Sequence, residues 1–435
     1  MKLIVLDPGH FHAALLQKTM YPDVDATVHV YAEEGPDLTD YLQKIASYNA
    51  RADAPTAWRM QVHAGPDFLD RFSAERAGDI VVIAGNNRRK AEYVTRAVAA
   101  GMNVLADKPM AIDTAGFESL QQAFTDAKAR GVLLYDIMTE RHEITTILQK
   151  AFSRIPAVFG ELLAGSVREP SIVKESVHHF SKQVSGAPVK RPAWFFDVAQ
   201  QGEGLVDITT HLVDLVQWEC FPGEILDFAK DIRILGAKRW PTAITPTQFA
   251  QVTQLPNYPG FLHKDVQPDG SLHTYANGEI DYRIKGVHAK VSVLWKFAAP
   301  EGAGDTHFSV LRGSKANLVI RQGAAEGYQP LLCIEPVASA GAADFPSALE
   351  HALGQVREAY PGVGAKRAGD IWQIIVPASY HVGHEAHFAQ VAGAFLTCVA
   401  KGTLPDWEVP DMIAKYCTTT RALEMARGDP QKATP

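Results

Sequence analysis

The chain has 435 residues, a formal net charge of −7, 46% hydrophobic residues and 21% charged ones. That length asks for two or three domains, and the balance excludes long disorder. The acidic balance, with no basic run longer than Arg88-Arg89-Lys90, speaks against nucleic acid or an anionic membrane surface as partner. No stretch is apolar for long enough to span a membrane, and the opening run at residues 3–6 is too short for a signal-peptide core, so a cytoplasmic protein is expected. Cys220, Cys333, Cys398 and Cys417 are scattered without a CxxC pair, which points to reduced thiols.

The first part of the chain alternates short apolar runs with helical patterns, the signature of βαβ units and a parallel sheet. Residues 2–6, 26–31, 79–84, 103–106 and 132–135 read as strands. Residues 12–20, 37–49, 90–100 and 114–130 read as helices, the last two stopped by Gly101 and Gly131. The run at 79–84 has nothing polar inside it, as a strand covered on both faces needs. After a helix at 144–152 the pattern changes. Residues 158–168, 176–182, 226–235, 279–298, 306–312 and 316–321 are rich in β-branched, aromatic and alternating residues. They predict an open, mainly antiparallel sheet with a helix at 205–218 among its strands. Residues 240–271 carry five prolines and predict a long surface excursion, and 323–364 is loop-rich in part. Helices at 384–401 and 411–427 are expected to pack on that sheet or back on the first domain.

The first strand runs into Asp7-Pro8-Gly9-His10-Phe11-His12, a tight turn opening a helix. A dinucleotide fold needs such a turn, so that backbone amides and a helix N-terminus face the pyrophosphate. Of the usual G-x-G-x-x-G only the second glycine, Gly9, remains; Asp7 and His12 take the outer positions. Glu33-Glu34 follow the second strand, where an acid accepts from the adenosine ribose and repels a 2′-phosphate, favouring NAD over NADP. The context predicts a Rossmann domain over residues 1–143, joined to an α+β domain over 144–435. His10 and His12 share a loop, but two histidines without further ligands contact phosphate or backbone more often than metal, so no metal is expected there.

Asp207, His211 and Asp214 are spaced i, i+4, i+7, which puts them on one face of an otherwise apolar helix. Oxidising an alcohol requires a base for its proton and a group that stabilises the developing alkoxide. Histidine suits the first role and lysine the second.

Three stretches together resemble the Gfo/Idh/MocA oxidoreductases, the glucose–fructose oxidoreductase and inositol dehydrogenase family. Val104-Leu105-Ala106-Asp107-Lys108-Pro109, at a strand end, resembles the family's E-K-P motif, with Asp107 in place of glutamate. Ile83-Ala84-Gly85-Asn86-Asn87 falls where the family has a loop beside the nicotinamide ribose. The stretch from Gly202 through Asp207 and His211 to Asp214 resembles its G-G-x-x-x-D-x-x-x-H-x-x-D helix. Residues 135–141 resemble a subgroup with its own type of C-terminal domain.

The resemblance implies a catalytic set of Lys108, Asp207 and His211. It implies dinucleotide contacts at Gly9, His10, Phe11, His12, Glu33, Asn86, Asn87, Asp107, Lys108 and Pro109. His211 would be the base and acid, Lys108 the polarising partner, and Asp207 the group that orients them. Glu140, Arg141 and Asp214 could bind a polyhydroxylated substrate or form interdomain ion pairs. His178 and Trp194, the latter within an aromatic cluster, could close the cleft or fill a core. His381, His384 and His387 invite a metal reading, but the resemblance makes them the start of a buried helix.

The expected activity is NAD(P)-dependent hydride transfer to or from a sugar or polyol alcohol, in a homo-oligomer, dimer or tetramer. Two alternatives stay open. One is a glycosidase or lyase that uses bound NAD transiently, with Glu140 or His178 as an extra acid–base. The other is a nucleotide-binding sensor without catalysis.

Overall fold

The computed structural model describes residues 1–184, 187–301, 303–337 and 344–428. The N-terminal part runs β1 (Leu3–Leu6), α1 (His12–Leu15), β2 (Thr27–Ala32), α2 (Pro36–Ala50), β3 (Arg59–Ala64), α3 (Phe68–Glu75), β4 (Ile80–Ile83), α4 (Lys90–Ala99), β5 (Asn103–Asp107), α5 (Thr114–Arg130) and β6 (Leu134–Ile137). The six strands pair in parallel in the order β3-β2-β1-β4-β5-β6. This is the doubly wound order whose reversal, between β1 and β4, opens a crevice at the strands' C-terminal ends. β1 and β4 are buried at every position, which is why each reads as an unbroken apolar run.

Helix α1 is shorter than the residue 12–20 helix that the pattern predicts. The carbonyls that would continue it are taken by side chains: Tyr21 Oη donates to Leu16, Trp58 Nε1 to Gln17 and Arg51 Nη2 to Lys18. The sequence did not reveal β3, an edge strand with half its residues exposed and therefore no core-facing run, or the short α3 after it.

The chain continues through α6 (Ile144–Ser153), β7 (Ile172–Ser181), the small hairpin β8 (Gln183–Val184) and β9 (Ala187–Pro188), α7 (Val198–Gln201), α8 (Thr209–Cys220), β10 (Ile232–Ile244) and α9 (Pro246–Thr253). Then come β11 (Leu272–Ile284), β12 (Val287–Ala298), β13 (Thr306–Arg312), β14 (Ala316–Gln322), β15 (Leu331–Pro336), α10 (Phe345–Ala359), β16 (Gly364–Ala368), β17 (Ile371–Ile375), α11 (His384–Lys401) and α12 (Glu408–Ala426). The nine long strands form a sheet in the order β10-β11-β12-β7-β13-β14-β15-β17-β16. Only β12 and β7 pair in parallel. Side chains of α6, α8, α10 and α12 share one apolar core with its strands. The chain is therefore an α/β protein: a parallel sheet followed by a large, mostly antiparallel one.

Several expected elements are corrected. Residues 158–168 form no strand; Val158 and Phe159 reach the core from a turn, and Leu162 makes a single bridge to Gly313. The stretch 279–298 is two strands, turning at Lys285 and Gly286, both with positive φ. The strand expected at 226–235 begins only at Ile232. The 240–271 excursion starts late: residues through Ile244 extend β10, with Pro241 inside a register shift where no ladder bond is needed, and a Thr245 capping box opens α9. The 323–364 segment contains β15 and α10, and its residues 338–343 lie outside the described residues.

The last two helices return to the first sheet. Phe388, Val391, Ala392 and Phe395 of α11 join the core on one of its faces, with Val5, Val82 and Leu105. Met412, Tyr416 and Cys417 of α12 join the opposite face, with Ile4, Val81 and Val104. Among the described residues no helix is long and apolar enough to cross a membrane.

Candidate active site

The turn after β1 is tight. Asp7 has a φ of 48°, and its carboxylate accepts from Tyr93 Oη at 2.7 Å. Gly9 and His10 both donate their amides to the Ala84 carbonyl, tying this turn to the end of β4. The two turns touch: a Cβ on Gly85 would lie 2.2 Å from the Asp7 carbonyl. A Cβ on Gly9 would meet Asp37 Oδ2 at 2.9 Å and the Trp194 ring at 3.4 Å. The crevice at the switch point and its two crowded glycines fit a dinucleotide. The amides of Gly9 and His10, however, are spent on Ala84.

The other predicted cofactor residues gather around this crevice. Glu33 and Glu34 are exposed beyond β2. Asn86 Nδ2 donates to Gln200 Oε1 and Asn87 Nδ2 to the Gln201 carbonyl, both at 2.7 Å, so α7 holds this turn. Asp107 closes β5, and Lys108 and Pro109 follow it, joined by a cis peptide. The buried Lys90 fixes this strand end through the Asp107 carbonyl and Asn87 Oδ1; burial lowers its ammonium to about 8.

The structure brings Lys108, Asp207 and His211 together. Lys108 Nζ donates to Asp207 Oδ1 at 2.6 Å, and Asp207 Oδ2 accepts from Gln201 Nε2 at 3.1 Å. Asp207 sits in the turn before α8 rather than on the helix face that its spacing suggests. That turn packs so closely on β11 that a Cβ on Gly204 would lie 2.1 Å from the Ala276 carbonyl. His211, in the first turn of α8, is buried, and its Nδ1 has no hydrogen-bond partner. Desolvation, followed by the nearby Lys108 charge, holds its imidazole well below the usual range. All three line a cleft of about 1000 Å³, together with His10, Phe11 and His12.

Glu140 and His178 also face this cleft. Burial raises the Glu140 carboxyl and lowers His178, which bonds to Ser176 Oγ at 2.5 Å and faces Asp305 at 3.3 Å.

Arg141 and Asp214 are corrected. Arg141 donates to both Asp214 oxygens at 2.7 Å and to Glu408 Oε1 at 2.6 Å. Lys415 adds bonds to Asp214 and Asp136, each at 2.7 Å. This buried network ties β6, α8 and α12 together, and neither Arg141 nor Asp214 lines the cleft. Trp194 is corrected as well: its Nε1 donates to Asp37 Oδ2 at 2.8 Å beside Gly9, while its neighbour Phe195 lines the cleft.

Sequence reasoning missed Gln201, Arg191 and Asp305, which no local motif marks. Arg191, lowered to about 10 by burial, donates to the carbonyls of Phe180 and His179 at the cleft wall. His384 and His387 begin α11 and His381 precedes it, but all three border the cleft; their spacing was the available signal.

The fold and site define a dinucleotide-binding oxidoreductase. The family model described as "Oxidoreductase family, NAD-binding Rossmann fold" matches residues 26–135. The one described as "Putative oxidoreductase C terminal domain" matches residues 148–427. The chain belongs to this family, the Gfo/Idh/MocA oxidoreductases. It is 55% identical to a crystal structure described as a "putative oxidoreductase from Parabacteroides merdae ATCC 43184", covering 98% of this chain and 97% of that one with a TM-score of 0.96. A levoglucosan dehydrogenase in complex with NADH and levoglucosan shares the fold at 13% identity, 98% coverage of each chain and a TM-score of 0.61. So does KijD10, a 3-ketoreductase from Actinomadura kijaniata in complex with NADP and TDP-benzene, at 16% identity, covering 95% of this chain and 94% of that one, TM-score 0.55. No curated protein matches the chain in sequence.

Proposed function

We propose that the protein moves a hydride between a secondary alcohol of a sugar or polyol and NAD. The observation that carries this reading is the buried Lys108–Asp207 pair, 2.6 Å long, beside the unpartnered His211 imidazole in a cleft at the end of the parallel sheet. The levoglucosan bound to the levoglucosan dehydrogenase, which shares the fold, is consistent with a sugar-like alcohol.

The dinucleotide would be held by the Gly9–His12 turn, by Asn86-Asn87 and by Asp107-Lys108-Pro109, with Glu33 at its adenosine ribose. When bound, it supplies the hydride acceptor and donor. His211, kept neutral by burial, takes the hydroxyl proton of the alcohol. Lys108 places its ammonium against the oxygen as it gains charge. Asp207 fixes Lys108 from behind, and Gln201 fixes Asp207. Glu33 and Glu34 favour NAD over NADP by repelling a 2′-phosphate. We place the domain boundary between residues 143 and 144 and expect a homo-oligomer, which sedimentation would test.

Glu140 and His178 on the same cleft support a second reading, a glycosidase or lyase that uses bound NAD transiently. The test is to add NAD and a panel of sugars, polyols and glycosides, then follow NADH absorbance and sugar products together. Sustained NADH formation, lost in Lys108→Ala and His211→Ala, is expected. Sugar products without net NADH would favour the transient reading. NAD binding with no turnover of any kind would favour a sensor.

A further inference from the structure

Three side chains, two of them on the cleft wall, meet in a way that the proposed proton and hydride transfers do not use. His10 and His12 come from the turn after β1, and Asp107 from the end of β5. One ligand atom of each lies within 4.8 Å of the other two. His12 Nδ1 is 2.9 Å from Asp107 Oδ2, and His10 Nδ1 is 3.7 Å from the same oxygen. Ligands about 2.0–2.1 Å from a tetrahedral cation stand roughly 3.3 Å apart, so the two distances bracket such a site.

We propose that His10, His12 and Asp107 bind a divalent first-row transition cation of the zinc, cobalt or iron type. Two imidazoles and one carboxylate suit these borderline metals better than magnesium or calcium, which take oxygen. Three protein ligands leave coordination positions open, and here they open onto the cleft that Lys108 also lines.

Two further observations agree. First, the Asp107 side chain is buried, and among the described residues its carboxylate is approached only by His12 and His10. Lys90, a buried cation at that strand end, hydrogen-bonds to the Asp107 backbone carbonyl at 2.9 Å rather than to the carboxylate. A buried carboxylate with so few hydrogen-bond donors keeps lone pairs that a cation could take. Second, the cluster is assembled from departures. His12 stands at an outer glycine position of the dinucleotide motif, and Asp107 stands where the family motif has glutamate. Aspartate is one methylene shorter than glutamate.

The cation would be held by side chains alone, so metal uptake and NAD binding can be read as separate quantities. Untagged protein, stripped with chelator, is titrated with Co²⁺ while visible d–d absorption and bound metal after equilibrium dialysis are measured. One Co²⁺ per chain with a low-symmetry spectrum is expected. His10→Ala, at the more open ligand, and Asp107→Asn should each weaken binding at least about a hundredfold, beyond the 10–100-fold typical of losing an outer partner. Circular dichroism checks that both variants fold. No bound Co²⁺ in wild type, or unchanged affinity in a folded His10→Ala, would overturn the site. NAD binding, followed by fluorescence in the same samples, is scored independently: Co²⁺ binding without NAD binding would sink the dehydrogenase reading and leave the metal site standing.

Discussion

Lys108 and Asp207 are 99 residues apart in sequence, yet the lysine ammonium lies 2.6 Å from the carboxylate, with both side chains buried. The contact joins the end of β5 to the turn before α8. Two residues of the proposed mechanism therefore meet across the boundary between the two sheets.

Replacing the lysine tests its role most directly. Lys108→Met keeps the stem and removes the charge. We expect kcat to fall about 10²–10⁴-fold, the usual worth of a positioned proton-transfer or charge-stabilising group, with a much smaller loss of dinucleotide affinity. Steady-state kinetics and fluorescence titration check both halves; an unchanged kcat would remove Lys108 from the mechanism.

Arg141 is expected to act on stability. Desolvation pushes the Asp214 carboxyl up, but Arg141 and Lys415 outweigh it and hold it well below the usual carboxylate range. Arg141→Met leaves Asp214 and Glu408 buried with less countercharge. Breaking such a pair from one side costs about 3–5 kcal/mol, which urea unfolding would show as a lower midpoint. If stability is intact while KM for the sugar rises, the side chain touches substrate after all.

Gly85 permits the contact between the turns after β1 and β4. In Gly85→Ala the new methyl would sit 2.2 Å from the Asp7 carbonyl, which is backbone and cannot swing aside. A loss of about 1–3 kcal/mol and weaker NAD binding are expected, read from thermal unfolding and titration. Wild-type values for both would mean that the turns separate freely.

His387 gives stability a pH dependence. Desolvation lowers it to about 4, against about 6.5 in an unfolded chain. Between those values the unfolded state binds a proton that the folded state refuses. Folding stability attributable to His387 is therefore complete above pH about 6.5 and falls by about 1.4 kcal/mol per pH unit below it. Urea midpoints at several pH values should fall less steeply for His387→Leu than for wild type. Parallel curves would refute the assignment.

Glu33 is expected to govern the choice of dinucleotide. A carboxylate about 4 Å from a phosphate costs on the order of 1–4 kcal/mol, depending on solvent screening. Glu33→Ser should therefore raise kcat/KM for NADP about tenfold or more, with a smaller loss for NAD. Unchanged preference would move the determinant elsewhere, with Glu34 as the next candidate.

The elements that could be read from the sequence are those whose burial is written locally. A strand covered on both faces must be apolar throughout, and β4 is recognisable for that reason. β3 was hidden because an edge strand needs no such run. The hairpin of β11 and β12 was hidden because Lys285, not an Asn-Gly pair, takes the first positive φ of its turn. Lys108 and His211 were legible as members of motifs. The geometry that joins them was not.

By itself the sequence determined that a parallel sheet comes first, that a mainly antiparallel one follows, and which turns end at the crevice. Those features depend on residues close together in the chain, where apolar period and turn chemistry act. Only the tertiary structure decided what the charges do. Asp207 and Asp214, seven residues apart, part company: one meets Lys108 in the cleft, the other meets Arg141 and Lys415 in the core. A buried charge must find its partner wherever the fold brings one, and no local pattern records which partner that is.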